Sequence, residues 1–112
     1  VFKKGDWYYM TGQAFPFGTQ MYILRSKTPY GPFEDCHNLF VLPKTLDKIG
    51  VQTYRFVYMV HLHMGLSRDG ELVFSTNTDI DNFWDNFNAD GSADFYRPFF
   101  YRVYKWERLF ED

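Results

Sequence analysis

The chain has 112 residues, of which 22% are Phe, Tyr or Trp, and its 12 basic and 14 acidic side chains give a net charge of -2. A chain of this length fits one small domain, and wide aromatic side chains suit the faces of β-sheets better than helix surfaces. The nearly balanced charge gives no electrostatic footprint for a phosphate backbone, which excludes nucleic acid as the expected partner.

The first half of the chain predicts three strands. Aromatic or β-branched runs at residues 6–11 and 20–26 are separated by Gly and Pro residues, as strands joined by a loop are. Residues 28–32 predict a tight turn, because two prolines fix φ and a glycine permits positive φ. A third strand is expected at residues 38–42, and residues 43–50 form a polar connector.

The second half predicts three more strands. Residues 53–63 are apolar on both faces, which predicts a central strand packed on both sides. Residues 67–70 form a Gly-containing turn into a strand at 71–76, which completes a hairpin. A long loop rich in Asp and Asn follows at residues 77–94, and the last strand is expected at 96–103.

The two halves have a comparable plan, which predicts an all-β fold of antiparallel, blade-like sheets. The first blade-like unit spans residues 1–45 and the second spans residues 51–112. No apolar run is long enough to span a bilayer, and no signal peptide is visible. Cys36 has no second cysteine to pair with, and a buried free thiol is its expected state.

Two segments of the first half carry a resemblance to a known family. Residues 5–11 (GDWYYMT) and 21–33 (MYILRSKTPYGPF) resemble the repeating blade of five-bladed β-propeller glycosidases of the arabinanase and β-xylosidase type. His63, the pair Ser75 and Asn77, and the segment 96–98 (YRP) resemble the last blade of related bacterial propeller domains. The resemblance covers nearly the whole chain and implies the two C-terminal blades of such a propeller.

This resemblance implies that the chain is incomplete by itself. A blade takes about 40 to 50 residues and closure needs at least four blades, so two blades leave apolar faces bare. Because the chain begins at Val1, we expect an excerpt of a longer protein; the alternative is that copies or partner chains complete the ring. The family's catalytic carboxylates lie mainly in the first three blades, so no catalytic residue is expected here, and the family also implies an extracellular or secreted protein.

His61 and His63 are the strongest candidates for a metal site. They lie two residues apart on one predicted strand, and therefore on the same face, where they could bind a metal jointly. The resemblance places His63 at an axial position near a hydrated cation. A hydrogen-bonded structural histidine is the alternative for His63. His37, at the edge of a turn, carries no signal.

The loop at residues 77–94 permits three interpretations. Its Asp and Asn side chains are oxygen ligands of the kind that calcium prefers, and residues 86–91 mimic the start of an EF-hand loop, but Arg97 stands where the last ligand should be. A solvated surface loop is the second interpretation. The loop aromatics, Trp84 among them, could also grip a sugar or another chain, which makes the loop a candidate recognition surface.

Arg97 begins the last strand beside Pro98. The arginine either faces a substrate pocket together with His63 and Asn77, or forms an ion pair with a loop carboxylate. Ser75 and Thr11 lack a nearby His and Asp in the sequence, so serine hydrolase chemistry has no support.

Two functions from different classes remain open. The first is a carbohydrate-active or glycan-binding propeller, in which His63, Asn77, Arg97 and Trp84 contact the sugar and the acid and base lie elsewhere. The second is a non-catalytic structural or adhesive β module whose bare faces pack against copies or partner chains. The sequence names no sugar and no linkage.

Overall fold

The fold is all-β, with two antiparallel sheets that pack against each other. The computed structural model describes residues 1–14, 18–42, 48–49, 52–53, 56–79, 83–88, 90–91 and 97–111. Among these residues, no helix is long and apolar enough to cross a membrane.

The first sheet contains four strands in the order β1-β2-β3-β4. Their bounds are β1 Phe2–Lys4, β2 Trp7–Gln13, β3 Gln20–Ser26 and β4 Glu34–Val41. Lys4 pairs with Trp7, so only two residues turn the chain between β1 and β2, and Gly5 adopts the positive φ that such a turn requires. Each strand therefore pairs with its neighbour in sequence, as in a meander.

The second sheet contains three strands in the order β7-β8-β9. Two short strands precede it, β5 Lys48–Ile49 and β6 Gln52–Thr53, which pair with each other. The sheet itself consists of β7 Phe56–Leu62, β8 Glu71–Asp79 and β9 Phe99–Tyr104, and the helix α1, Phe83–Asn88, lies between β8 and β9. 3₁₀ helices at Met64–Leu66 and Trp106–Phe110 follow β7 and β9.

One hydrophobic core joins the two sheets. Seven buried side chains form a single cluster, and they come from β2, β3, β8, the residue after β4 and the last 3₁₀ helix: Tyr9, Met21, Ile23, Leu42, Leu72, Phe74 and Trp106. The Phe40 ring of the first sheet lies 5.3 Å from the Phe74 ring of the second. We call the core-facing side of each sheet its inner face and the opposite side its outer face.

The central strand of the second sheet is β8, so the prediction of a central strand at residues 53–63 is wrong. Every residue of β8 from Glu71 to Thr76 is buried, whereas β7 pairs on one side only within the described part of the chain. β7 has an irregular register between Tyr58 and His61, where Met59 has a φ of 52° and is 70% exposed. Apolar residues on both faces of β7 therefore reflect a bulge and an open face rather than burial on two sides.

Other expectations also differ from the structure. β4 begins at Glu34 rather than at residue 38, and the three-residue strand β1 was not predicted. The loop interpretation of residues 77–94 is wrong in part, since β8 continues to Asp79 and α1 follows it. Cys36 is exposed rather than buried, because it lies on β4, which is an edge strand of the first sheet.

The remaining expectations concern residues outside those described. They include most of the connector at 43–50, residues 80–82, 89 and 92–94 of the predicted loop, and the first residue of the last predicted strand. The division into units 1–45 and 51–112 stays a prediction; the first sheet lies within residues 2–41 and the second within 56–104.

Candidate functional site

The outer face of the second sheet brings together the histidines that the sequence singled out. His61 pairs with Ser75 across β7 and β8, and Ser75 pairs with Phe100 across β8 and β9. The imidazole rings of His61 and His63 lie 4.8 Å apart, as expected for two side chains on the same face. The ring of His63 also lies 5.9 Å from that of Phe100.

Ser75 is the hydrogen-bond partner of His63, with 2.7 Å between Nε2 and Oγ. Ser75 thus has a histidine neighbour in the fold that lies 12 residues away in the sequence. The hydroxyl is nevertheless poorly placed as a nucleophile, since Ser75 is 8% exposed in the middle of β8 and, within the described part of the chain, no carboxylate contacts His63. The pair is best explained as a hydrogen bond that fixes the His63 ring.

The described side chains on the outer face of the second sheet are not a suitable set of ligands for direct coordination of calcium. Calcium takes about six to eight oxygen ligands, whereas His61, His63 and Ser75 supply two imidazoles and one hydroxyl. Among the described residues there is no group of three or more His, Cys, Asp or Glu side chains that could hold a metal ion. A cation at His63 would therefore be held through its water ligands, and the metal role of His63 stays a prediction.

The other predicted site residues are Asn77, Arg97 and Trp84. Asn77 follows Ser75 by two positions on β8, which places it on the same face. Arg97 is exposed, stacks on Phe99 at 4.3 Å and donates to the Pro98 carbonyl. Trp84 lies on α1, is 68% exposed and forms an edge contact with Phe87. Their substrate-binding roles stay predictions.

A cleft in the first sheet was not predicted from the sequence. It has a volume of about 440 Å³ and lies between Trp7 of β2 and the turn that joins β3 to β4. Its lining residues are Trp7, Arg25, Ser26, Lys27, Thr28, Gly31, Pro32, Glu34 and Asp35. The register that pairs Tyr9 with Arg25 places both Trp7 and Arg25 on the inner face, at its margin.

Charged and aromatic groups alternate along one wall of this cleft. The Arg25 guanidinium lies 4.1 Å from the Trp7 ring centre and binds Asp35 at 3.1 Å. His37 binds the other oxygen of Asp35 at 2.8 Å, and its ring packs on Phe110. His37, which carried no signal in the sequence, thus helps to fix the carboxylate that orients Arg25.

Burial and hydrogen bonding shift the pKa values of individual side chains in and beside a cluster around Lys4, near the N-terminus. Hydrogen bonds to the Asp69 and Glu107 carboxylates raise the pKa of Lys4, and the hydrogen bond from Lys4 lowers the pKa of Asp69. Burial raises the pKa of Tyr9, which neighbours this cluster. Lys4 thereby ties β1 to the turn before β8 and to the last 3₁₀ helix.

Comparisons with known proteins give one family and one solved structure. A family model described as "Domain of unknown function (DUF5005)" matches residues 1–106. A crystal structure from Bacteroides ovatus ATCC 8483, described as a putative hydrolase, is 66% identical and has a TM-score of 0.88. That match covers 98% of this chain but 27% of the other, so the chain spans about a quarter of its length. No curated protein matches the chain.

Proposed function

We propose that this chain, which belongs to the DUF5005 family, is the C-terminal portion of a carbohydrate-active β-propeller with glycoside hydrolase activity. The observation that carries the proposal is the match to a chain described as a putative hydrolase, in which a segment 66% identical to this one accounts for 27% of the length. The propeller and the secreted location come from the blade-like motifs at residues 5–11 and 21–33.

The arrangement of the two sheets supports this proposal. Propeller blades are antiparallel meanders that pack face to face, and the two sheets here are antiparallel and share one core. The outer face of the second sheet leaves Phe100 61% and Tyr104 65% exposed. Two exposed aromatic side chains on one sheet face are consistent with further blades beside this one.

Ion pairs engage some of the described carboxylates, which is consistent with an acid and base that lie elsewhere. Glycoside hydrolysis uses two carboxyl groups on either side of the scissile bond, which need to be free to transfer a proton or attack the sugar. Four of the described carboxylates are instead engaged by cations: Asp35 by Arg25, Asp69 and Glu107 by Lys4, and Glu71 by Arg102. This segment would then shape one side of the pocket through His63 and Asn77.

The experiment uses the longer polypeptide that contains these residues. It would be incubated with arabinans, xylans and aryl glycosides, and released reducing sugar would be measured. We expect hydrolysis of at least one substrate, with kcat/KM lowered about tenfold or more by His63→Ala and unchanged by Glu111→Gln at the exposed C-terminal end. A polypeptide that hydrolyses none of these substrates would contradict the proposal.

A non-catalytic structural or adhesive module is the second candidate, and the exposed Phe100 and Tyr104 side chains are equally consistent with it. In that case the bare face would be covered by another copy of this chain or by a partner chain. Light scattering coupled to size-exclusion chromatography on the 112-residue polypeptide separates the two candidates. Defined oligomers support the structural module, and a well-folded monomer argues against it.

A further inference from the structure

The cleft between Trp7 and the turn at residues 26–34 is on the other sheet from His63 and has no role in the function proposed above. We propose that this cleft binds one neutral sugar ring of a glycan, as an accessory subsite. The inference rests on the proposed function only for its choice of ligand class; the site itself rests on the contacts and charges described next.

The wall of the cleft is preformed by hydrogen bonds within the turn. The Ser26 hydroxyl accepts a hydrogen bond from the Thr28 backbone N–H at 3.1 Å, and the Thr28 hydroxyl donates to the Gly31 carbonyl. Ser26 is 4% exposed, so this anchor is buried. A volume of about 440 Å³ lies within the range of small-molecule sites, about 300 to 1,000 Å³. The cleft can therefore receive a ligand without first ordering its wall.

The floor of the cleft offers an aromatic surface that a sugar can use. The half-buried Trp7 ring is covered by the Lys27 ammonium at 3.7 Å from its centre. Lys27 is exposed, and cation–π contacts at exposed sites are weak, so the ammonium can leave the ring at little cost. The C–H face of a pyranose would then lie on the indole, while Lys27 turns to a sugar hydroxyl.

The polar side chains of the cleft are suited to hydrogen-bond the hydroxyl groups of a neutral ligand rather than to bind an ion. Among the described residues, Lys27 and Glu34 have no hydrogen-bond or ion-pair partner, so one donor and one acceptor are available. Sugar hydroxyls can accept from the ammonium and donate to the carboxylate at the same time. The charges of Arg25 and Lys27 are balanced by those of Glu34 and Asp35, which disfavours an anionic ligand.

The test is a binding titration of the longer polypeptide with xylo-, arabino- and gluco-oligosaccharides, and with a galacturonate trimer as the anionic probe. Lys27→Met and Glu34→Gln each remove one polar contact, and each should weaken binding of the neutral oligosaccharide about tenfold, as the loss of a charged hydrogen bond predicts. Lys3→Met and Glu111→Gln are the matched controls, since both remove the same charges outside the cleft.

A second measurement follows binding in the unsubstituted polypeptide. The polypeptide would be labelled with fluorotryptophan, and the Trp7 signal, assigned by its loss in Trp7→Phe, should shift on titration with the neutral oligosaccharide. Wild-type affinity in both Lys27→Met and Glu34→Gln, an unmoved Trp7 signal, or a preference for galacturonate would overturn the inference. Binding at Trp7 without any hydrolysis would leave this subsite intact while contradicting the proposed hydrolase.

Discussion

Single residues show what strand alternation can and cannot predict. The two-residue spacing of His61 and His63 correctly placed both rings on one face. The partner of His63 could not be predicted, because Ser75 lies on another strand and the register between them includes the irregularity at Met59. A bulge shifts every later cross-strand residue pair by one position, and no residue type in β7 predicted the bulge.

The hydrogen bond between His63 and Ser75 should contribute measurably to stability. Ser75→Ala removes the hydroxyl next to a half-buried imidazole and should lower the free energy of unfolding by about 1 kcal/mol. Urea unfolding of Ser75→Ala, His63→Ala and the double variant would measure the coupling between the two side chains. A coupling energy of zero would show that the contact does not stabilise the fold.

The Lys4 cluster makes a prediction about pH. Lys4→Met should return the pKa of Asp69 toward its ordinary value of 3.8, which NMR titration of the carboxyl group would measure. The pKa of Asp69 is lowered in the folded chain, so its stabilising contribution is present above the unfolded-state value and is lost as the pH falls through the folded-state value. The pKa of Lys4 is raised from 10.5, so its contribution is present below that value and is lost as the pH rises through the folded-state pKa.

A matched variant distinguishes this contact from a general effect of charge. Lys3→Met removes the same charge from the neighbouring residue, whose ammonium lies over the Tyr8 ring instead. It should leave the pKa of Asp69 nearly unchanged. An equal effect of both substitutions would show that the hydrogen bond from Lys4 is not the cause of the lowered pKa.

At the scale of elements, local signals predicted the strands that are flanked by turns. β2, β3 and β8 follow or precede Gly- and Pro-containing turns and were expected close to their observed bounds. β1 has three residues and pairs only because Gly5 folds it back, which is too short a pattern to recognise. α1 is a single helical segment of six residues inside a stretch rich in Asp and Asn, where turn propensity dominated the expectation.

The two faces of the second sheet should respond differently to truncation. Phe74 is 0% exposed on the inner face, and Phe74→Ala should lower the free energy of unfolding of the 112-residue chain by about 3 to 5 kcal/mol, as core truncations do. Phe100 is 61% exposed on the outer face, and Phe100→Ala should cost less than about 1 kcal/mol. Chemical denaturation measures both, and equal losses would contradict the assignment of the core.

At the scale of the whole molecule, the sequence indicated an incomplete assembly. It could not indicate which faces stay open, since that depends on how the two sheets pack. The structure places the inner faces against each other through Phe40 and Phe74, and leaves Phe100 and Tyr104 on the open side. The matched chain is longer, since this chain covers 27% of it. In the proposal, neighbouring blades from the rest of such a chain would cover the open side.

The most direct test of the proposed propeller is a crystal structure of the longer polypeptide that contains these residues. The proposal predicts further antiparallel sheets around a common axis, a neighbouring sheet covering Phe100 and Tyr104, and two carboxyl groups about 5 to 10 Å apart in the pocket next to His63. A structure in which the outer face of the second sheet remains open to solvent, or in which no pair of carboxylates faces His63, would contradict it.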